Sequence, residues 1–176
     1  SSWYRPEKIV KGFVSLWNAA DGTQVWRTDF QNKPVVVTRF SPDGRTLAVG
    51  TWGWRVALWR LDDLTAAPRI LHLDDVPIYS AIDDIAFHPS GQRIAAATKS
   101  GLVRVWDLTT QNVLYDLRGH KQPASAVAYS PDGSTLLTGG ADATIMLWEN
   151  STGLLLTKLF GHTGRISSMS TEPVAD

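Results

Sequence analysis

Short apolar runs, bounded by Pro, Gly, Asp and Ser, occupy most of the chain, and their spacing predicts strands. Residues 35–40, 83–87 and 125–129 each lead into a turn, and residues 46–49, 93–97 and 135–138 leave it. A further strand in each unit ends on tryptophan: Val14-Ser15-Leu16-Trp17, Val56-Ala57-Leu58-Trp59, Val103-Arg104-Val105-Trp106 and Ile145-Met146-Leu147-Trp148. In each, the residues three and one before the tryptophan are apolar and share one face of a strand. Weaker strands follow at 113–117 and 154–159, and no segment carries a helical period.

These runs form a repeat. The four tryptophans are separated by 42, 47 and 42 residues. A turn recurs in step, as Ser41-Pro42-Asp43-Gly44, His88-Pro89-Ser90-Gly91 and Ser130-Pro131-Asp132-Gly133. Proline presets the turn's φ, and glycine supplies the conformation that leaves it. The aromatic before each turn (Phe40, Phe87, Tyr129) precedes the next tryptophan by 19 residues every time. Four antiparallel strands in a repeat of this length make a propeller blade.

With these markers the chain resembles the WD40 family of β-propellers. Gly119-His120 and Gly161-His162 stand at the family's Gly-His positions, and Trp106-Asp107 is the literal Trp-Asp pair; the others read Trp17-Asn18, Trp59-Arg60 and Trp148-Glu149. The expected fold is all-β: three complete blades at about 33–73, 81–118 and 123–160, a partial blade before them and the first strand of another after them. Residues 12–171 form this segment, with 1–11 a leader or remnant strand and 172–176 a tail. Propeller rings of the family usually hold about seven blades, so an incomplete ring is expected. The expected completion is the rest of a longer chain or a second copy. Closure as four blades would need a strand from Arg5-Pro6-Glu7-Lys8-Ile9, which is polar and interrupted by proline.

Composition narrows the function. Lys and Arg total 17 against 17 Asp and Glu, so the chain as a whole has no excess positive field for nucleic acid or an anionic membrane. Without cysteine there is no thiolate metal site, disulfide or thiol nucleophile. No apolar run is long enough to span a membrane. The expectations are a cytoplasmic setting, with no cofactor, metal, nucleic-acid or membrane partner. His72 and His88 stand apart from one another and from ligand spacing.

One polar constellation imitates a catalytic triad. His120, Thr138 and Asp142 supply an imidazole, a hydroxyl and a carboxylate, which are the parts of a hydrolase. No oxyanion hole accompanies them. Resemblance to WD40 proteins instead implies a buried network in which Thr138 and Asp142 hold His120 and the Trp148 indole closes it. The repeat tryptophans are read in the same way, as blade packing.

Function is then expected where the repeat is broken. The tight turn Thr51-Trp52-Gly53-Trp54-Arg55 places two indoles and a guanidinium where other blades have Lys99-Ser100-Gly101 or Ala141-Asp142-Ala143. Such residues dominate binding hot spots. The longer interval after Trp59 holds Asp62, Asp63, Asp74, Asp75, Asp83 and Asp84 with Arg69 as its only base after Arg60. The last four aspartates are expected near the Trp52 turn, where they would favour a basic partner. The sequence therefore reads as a non-enzymatic interaction, scaffold or sensor module that contacts a protein or peptide through Trp52, Trp54, Arg55, Asp74 and Asp75. The alternative is a propeller that binds a carbohydrate or small molecule, and a hydrolase comes third.

Overall fold

The recurring Pro-Gly turn governs the inner half of every blade. In the computed structural model, which describes residues 12–30, 33–53, 55–73 and 81–172, Gly44, Gly91 and Gly133 have φ of 67°, 72° and 74°. Their amides donate to the carbonyls of Ser41, His88 and Ser130. Ser41 and Ser130 each donate to the following aspartate at 2.6 Å. His88 takes the serine's place in the second turn, with Nδ1 2.8 Å from Ser90 Oγ. A different side chain thus closes the same turn.

The described residues fall into two compact units that divide between Val35 and Val36, at the start of the third strand. In the first, β1 (Gly12–Trp17) pairs antiparallel with β2 (Gln24–Phe30). Trp17 was expected to pack within a blade but is 61 % exposed. A two-stranded ribbon has too little surface to bury an indole. The leader at 1–11, including the strand considered for a four-bladed closure, lies outside the described residues, as do 173–176.

The second unit contains three four-stranded antiparallel sheets. The first is β3 (Val35–Phe40), β4 (Thr46–Thr51), β5 (Arg55–Arg60) and β6 (Arg69–His72). The second is β7 (Ile82–Phe87), β8 (Arg93–Thr98), β9 (Leu102–Asp107) and β10 (Val113–Arg118). The third is β11 (Ala124–Tyr129), β12 (Thr135–Gly140), β13 (Ile145–Glu149) and β14 (Leu155–Leu159). Strand ends differ from the sequence expectation by one or two residues.

The middle blade shows why its strands read as continuous apolar runs. Ile94, Ala96, Leu102 and Trp106 join Val56, Leu58 and Leu71 of the first blade in one core. The intervening Ala95, Ala97, Val103 and Val105 join Val127, Leu136, Met146 and Trp148 of the third blade in another. Successive side chains of one strand therefore serve opposite interfaces. An exception is Arg104, whose Nε and Nη2 reach the cross-strand partner Asp116 at 2.6 and 2.8 Å.

Asp84 links the innermost strands of all three blades. Its carboxylate accepts from Arg39 Nη2 on β3 at 2.8 Å, from its neighbour Ile85 at 2.9 Å and from the Val127 amide on β11 at 3.1 Å. The last bond satisfies a buried amide.

After β14 the chain keeps the repeat's register without its pairing. Ile82, Ala124 and Ile166 are 42 residues apart, as are Ile85, Val127 and Met169. Ile166 and Met169 pack at Gly139 as Ile82 and Ile85 pack at Gly50. The expected first strand of a following blade is absent: residues 161–172 have no strand pairing, although the Ile166 amide donates to Gly140 at 3.1 Å and the Ile166 carbonyl accepts from Ser125 at 2.6 Å. Strand geometry there needs a second strand to pair with, and the described residues supply none.

Asp84→Ala is expected to destabilise the protein by about 2–4 kcal/mol, because it strands a buried amide and removes a charge-assisted bond. Asp62→Ala, which breaks the exposed Arg60–Asp62 pair, should leave stability nearly unchanged, because solvent screens the pair. Urea unfolding of both variants checks the contrast.

Candidate functional site

The third blade brings the triad-like residues together. Thr138, on β12, is fully buried, and the His120 side chain is 1 % exposed. The Trp148 indole can only donate, so its bond to Thr138 Oγ at 2.9 Å makes the hydroxyl an acceptor there. The Thr138 proton then turns to His120 Nε2, also at 2.9 Å. This leaves His120 Nδ1–H to donate to Asp142, whose carboxylate oxygens lie 3.1 and 3.2 Å away. Thr144 Oγ at 2.7 Å and the Lys121 amide at 2.9 Å also donate to Asp142.

Burial pushes the Asp142 carboxyl up, but bonds from Thr144, the Lys121 amide and His120 outweigh it and hold the group at about 2. The chain of donors matches a hydrolase's charge relay in order. Its burial removes the chemistry, because Thr138 Oγ has no open approach and one of its acceptor sites is taken by the indole.

Gly140 makes this arrangement possible. A Cβ at that position would run into Asp142 Oδ1 and His120 Nδ1. At the equivalent place, eight residues before the tryptophan, the other complete blades have Thr51 and Thr98. Thr98 is fully buried and bonds its own turn, donating to the Leu102 carbonyl at 2.8 Å. The histidine network and the threonine turn are thus alternative fillings of one position.

The expected partner surface divides. Trp52 is 56 % exposed, whereas Trp59, Trp106 and Trp148 are 6 %, 1 % and 5 % exposed. Arg55 is also exposed. Trp54, Asp74 and Asp75 lie outside the described residues. The remaining aspartates of the expected acidic face are not presented to solvent. Asp84 is held by Arg39, and the Asp83 side chain, 6 % exposed, pairs with Arg165 Nη2 at 3.1 Å. Desolvation raises the Asp83 carboxyl, with the charges of Lys99 and Arg165 opposing it.

Sequence reasoning missed Lys99 and Arg165. Lys99 Nζ lies 4.7 Å over the Trp52 ring, within cation–π range. Arg165 falls 42 residues after Pro123 and 84 after Ala81, at the start of the innermost strand position. That register was available as a signal. The contact between turns of successive blades was not.

Two clefts flank these elements. One of about 350 Å³ lies along the innermost strands and includes Arg39, Asp83, Asp84, Ser125 and Ser168. Another of about 400 Å³ lies by the outer turns of the first blade and includes Arg45, Trp59, Arg60, Asp63 and Arg69. His88, read from sequence as isolated, joins two blades: Nε2 is 3.1 Å from the Gly133 carbonyl and its ring meets Tyr129 edge-on.

His120→Ala is expected to lower Tm by roughly 5–10 °C through the stranded Thr138 and Asp142 groups. Unchanged melting combined with loss of a hydrolytic activity would overturn the structural reading. Because the folded Asp142 is depressed from 3.8, its contribution is complete above that value and lost as pH falls through about 2. Acid titration of stability should therefore be shallower for Asp142→Asn than for the parent over this window.

Comparison with known proteins finds the repeat and the fold elsewhere. The family model for "WD domain, G-beta repeat" matches residues 77–107 and 111–149. A periodic tryptophan protein 2 homolog of Neurospora crassa is 26 % identical over 108 residues, covering 61 % of this chain and 12 % of that protein. The WD repeat-containing protein VIP3 of Arabidopsis thaliana is 25 % identical over 131 residues, covering 67 % and 40 %. The chain thus spans well under half the length of these relatives. Among solved structures, the RRP9 WD40 repeats align with a TM-score of 0.70 at 18 % identity, over 76 % of this chain and 41 % of that one. A chain of the Mitotic Checkpoint Complex aligns at 0.77 and 18 % identity, over 90 % and 47 %. Residues 77–107 and 111–149 are thus WD repeats by the family model, and the three tryptophan-marked blades have the fold of WD40 β-propellers.

Proposed function

We propose that the chain is a non-enzymatic protein-interaction module whose partner surface lies at the turns joining the second and third strands of its blades, centred on Trp52 and Arg55. The exposure of Trp52 carries this reading. Three repeat tryptophans are buried, yet this one, on a turn between rigid strands, keeps over half its surface in water. An indole at a fixed position gives a partner a large apolar contact at little entropic cost. Trp54 belongs to the same turn in sequence, and Asp74 and Asp75 remain candidate contacts from the sequence reading.

The relatives support the class of function. VIP3 is a WD repeat-containing protein by name, and one similar propeller chain is part of a complex. The polar network of the third blade belongs to the framework that holds the turns. A Trp52→Ala/Trp54→Ala double variant is expected to retain the parent's circular dichroism and melting profile while losing its partners in an affinity pull-down. Normal partner recovery by the folded variant would place the surface elsewhere.

A further inference from the structure

The described charges at the Trp52 end are sorted by depth. The carboxylates are inside: the Asp83 and Asp142 side chains are 6 % and 12 % exposed, and both accept hydrogen bonds. The cations are outside: Arg55, Lys99, Lys121 and Arg165 are all exposed. Lys99 is anchored by its amide to Ala81 at the start of the neighbouring inner strand, and its ammonium covers one face of Trp52. Lys121 belongs to the loop whose His120 and Gln122 carbonyls crowd the Gly101 turn, two residues beyond Lys99. The acids thus act as internal counter-charges, while ammonium and guanidinium groups are presented beside an aromatic plane.

We infer that this surface recognises an acidic peptide segment of a partner protein, its carboxylates meeting Lys99 and the neighbouring cations while an apolar side chain rests against Trp52. The inference rests on the interaction-module reading, gives up Asp74 and Asp75 as contacts, and reverses the sign of the partner charge that the aspartate run suggested. Charge complementarity supports it: a basic peptide would meet the exposed cations before it reached Asp83 or Asp142. Nucleic acid is the weaker match. Phosphate tracking needs a continuous basic stripe and commonly six or more contacts, whereas four separate cations over buried acids stand here.

The test uses the 176-residue chain and three fluorescein-labelled probes: a twelve-residue peptide alternating Glu and Leu, its Lys and Leu counterpart, and a twelve-nucleotide oligouridylate. Fluorescence anisotropy is expected to show binding of the Glu peptide, weakening about fivefold or more between 50 and 300 mM salt. Lys99→Glu should weaken it about tenfold or more, and Lys99→Gln by less. Lys99→Gln should keep the parent's melting profile because the side chain is exposed, and Lys99→Glu, which sets a like charge near Asp83, is measured at a temperature where circular dichroism shows it folded. Tighter binding of the Lys peptide, tighter binding of the oligouridylate, or no response to either Lys99 variant would overturn the inference. If Trp52→Ala/Trp54→Ala loses its pull-down partners but Lys99→Glu keeps them, the interaction surface stands and its preference for carboxylates falls. If neither variant loses partners, the interaction surface itself falls.

Discussion

Each blade of this protein is a single layer with two apolar faces, so it has no interior until another blade lies against it. That constraint organises the rest of the structure. It explains why alternate residues of β8 and β9 belong to two different cores, and why small residues such as Ala95, Ala96 and Ala97 sit where both faces are covered at close range. It also explains the exposed leucines of the third blade. Leu155 and Leu159 are 42 % and 45 % exposed on β14, which no fourth complete blade covers among the described residues. Ile166 and Met169 cover only the inner part of that sheet, at Gly139.

Polar groups tie the layers where apolar packing leaves donors unpaired. Asp84 satisfies an amide of the next blade and holds an arginine of the previous one. His88 reaches from its own turn to the carbonyl at Gly133. The His120 network works within one blade, joining the loop before β11 to β12, the Asp142 turn and β13. With their hydrogen bonds satisfied, these groups fix the positions from which the exposed turns project. A rigid framework and reactive-looking residues are thus the same set of side chains, while Trp52, Arg55 and Lys99 stay exposed on the turns.

The repeat was legible because it is local: a turn, an aromatic and a tryptophan in fixed spacing identify a blade from within its own forty-odd residues. The network around His120 was legible for the same reason. Contacts across blades were not. The partners of Asp83 and Asp84 are 82 and 45 residues away, so these two aspartates, which look like part of a solvated acidic face, are in fact held as counter-charge. Lys99 over Trp52 joins two turns that periodicity places at one end without specifying their reach. Arg104 interrupts an apolar face because Asp116, directly across the strand pair, satisfies it.

The central claim is that the tryptophans divide into framework and contact surface. Indole ¹⁵N–¹H spectra of the 176-residue chain, recorded during hydrogen exchange and then during titration with a bound partner or acidic peptide, test that division directly. The account predicts that the Trp148 indole proton, held by Thr138, exchanges only through global unfolding and does not shift on titration. The Trp52 indole proton should exchange at once and shift as the ligand binds. Slow exchange and an unmoved resonance at Trp52, or a ligand-induced shift confined to Trp148, would contradict it.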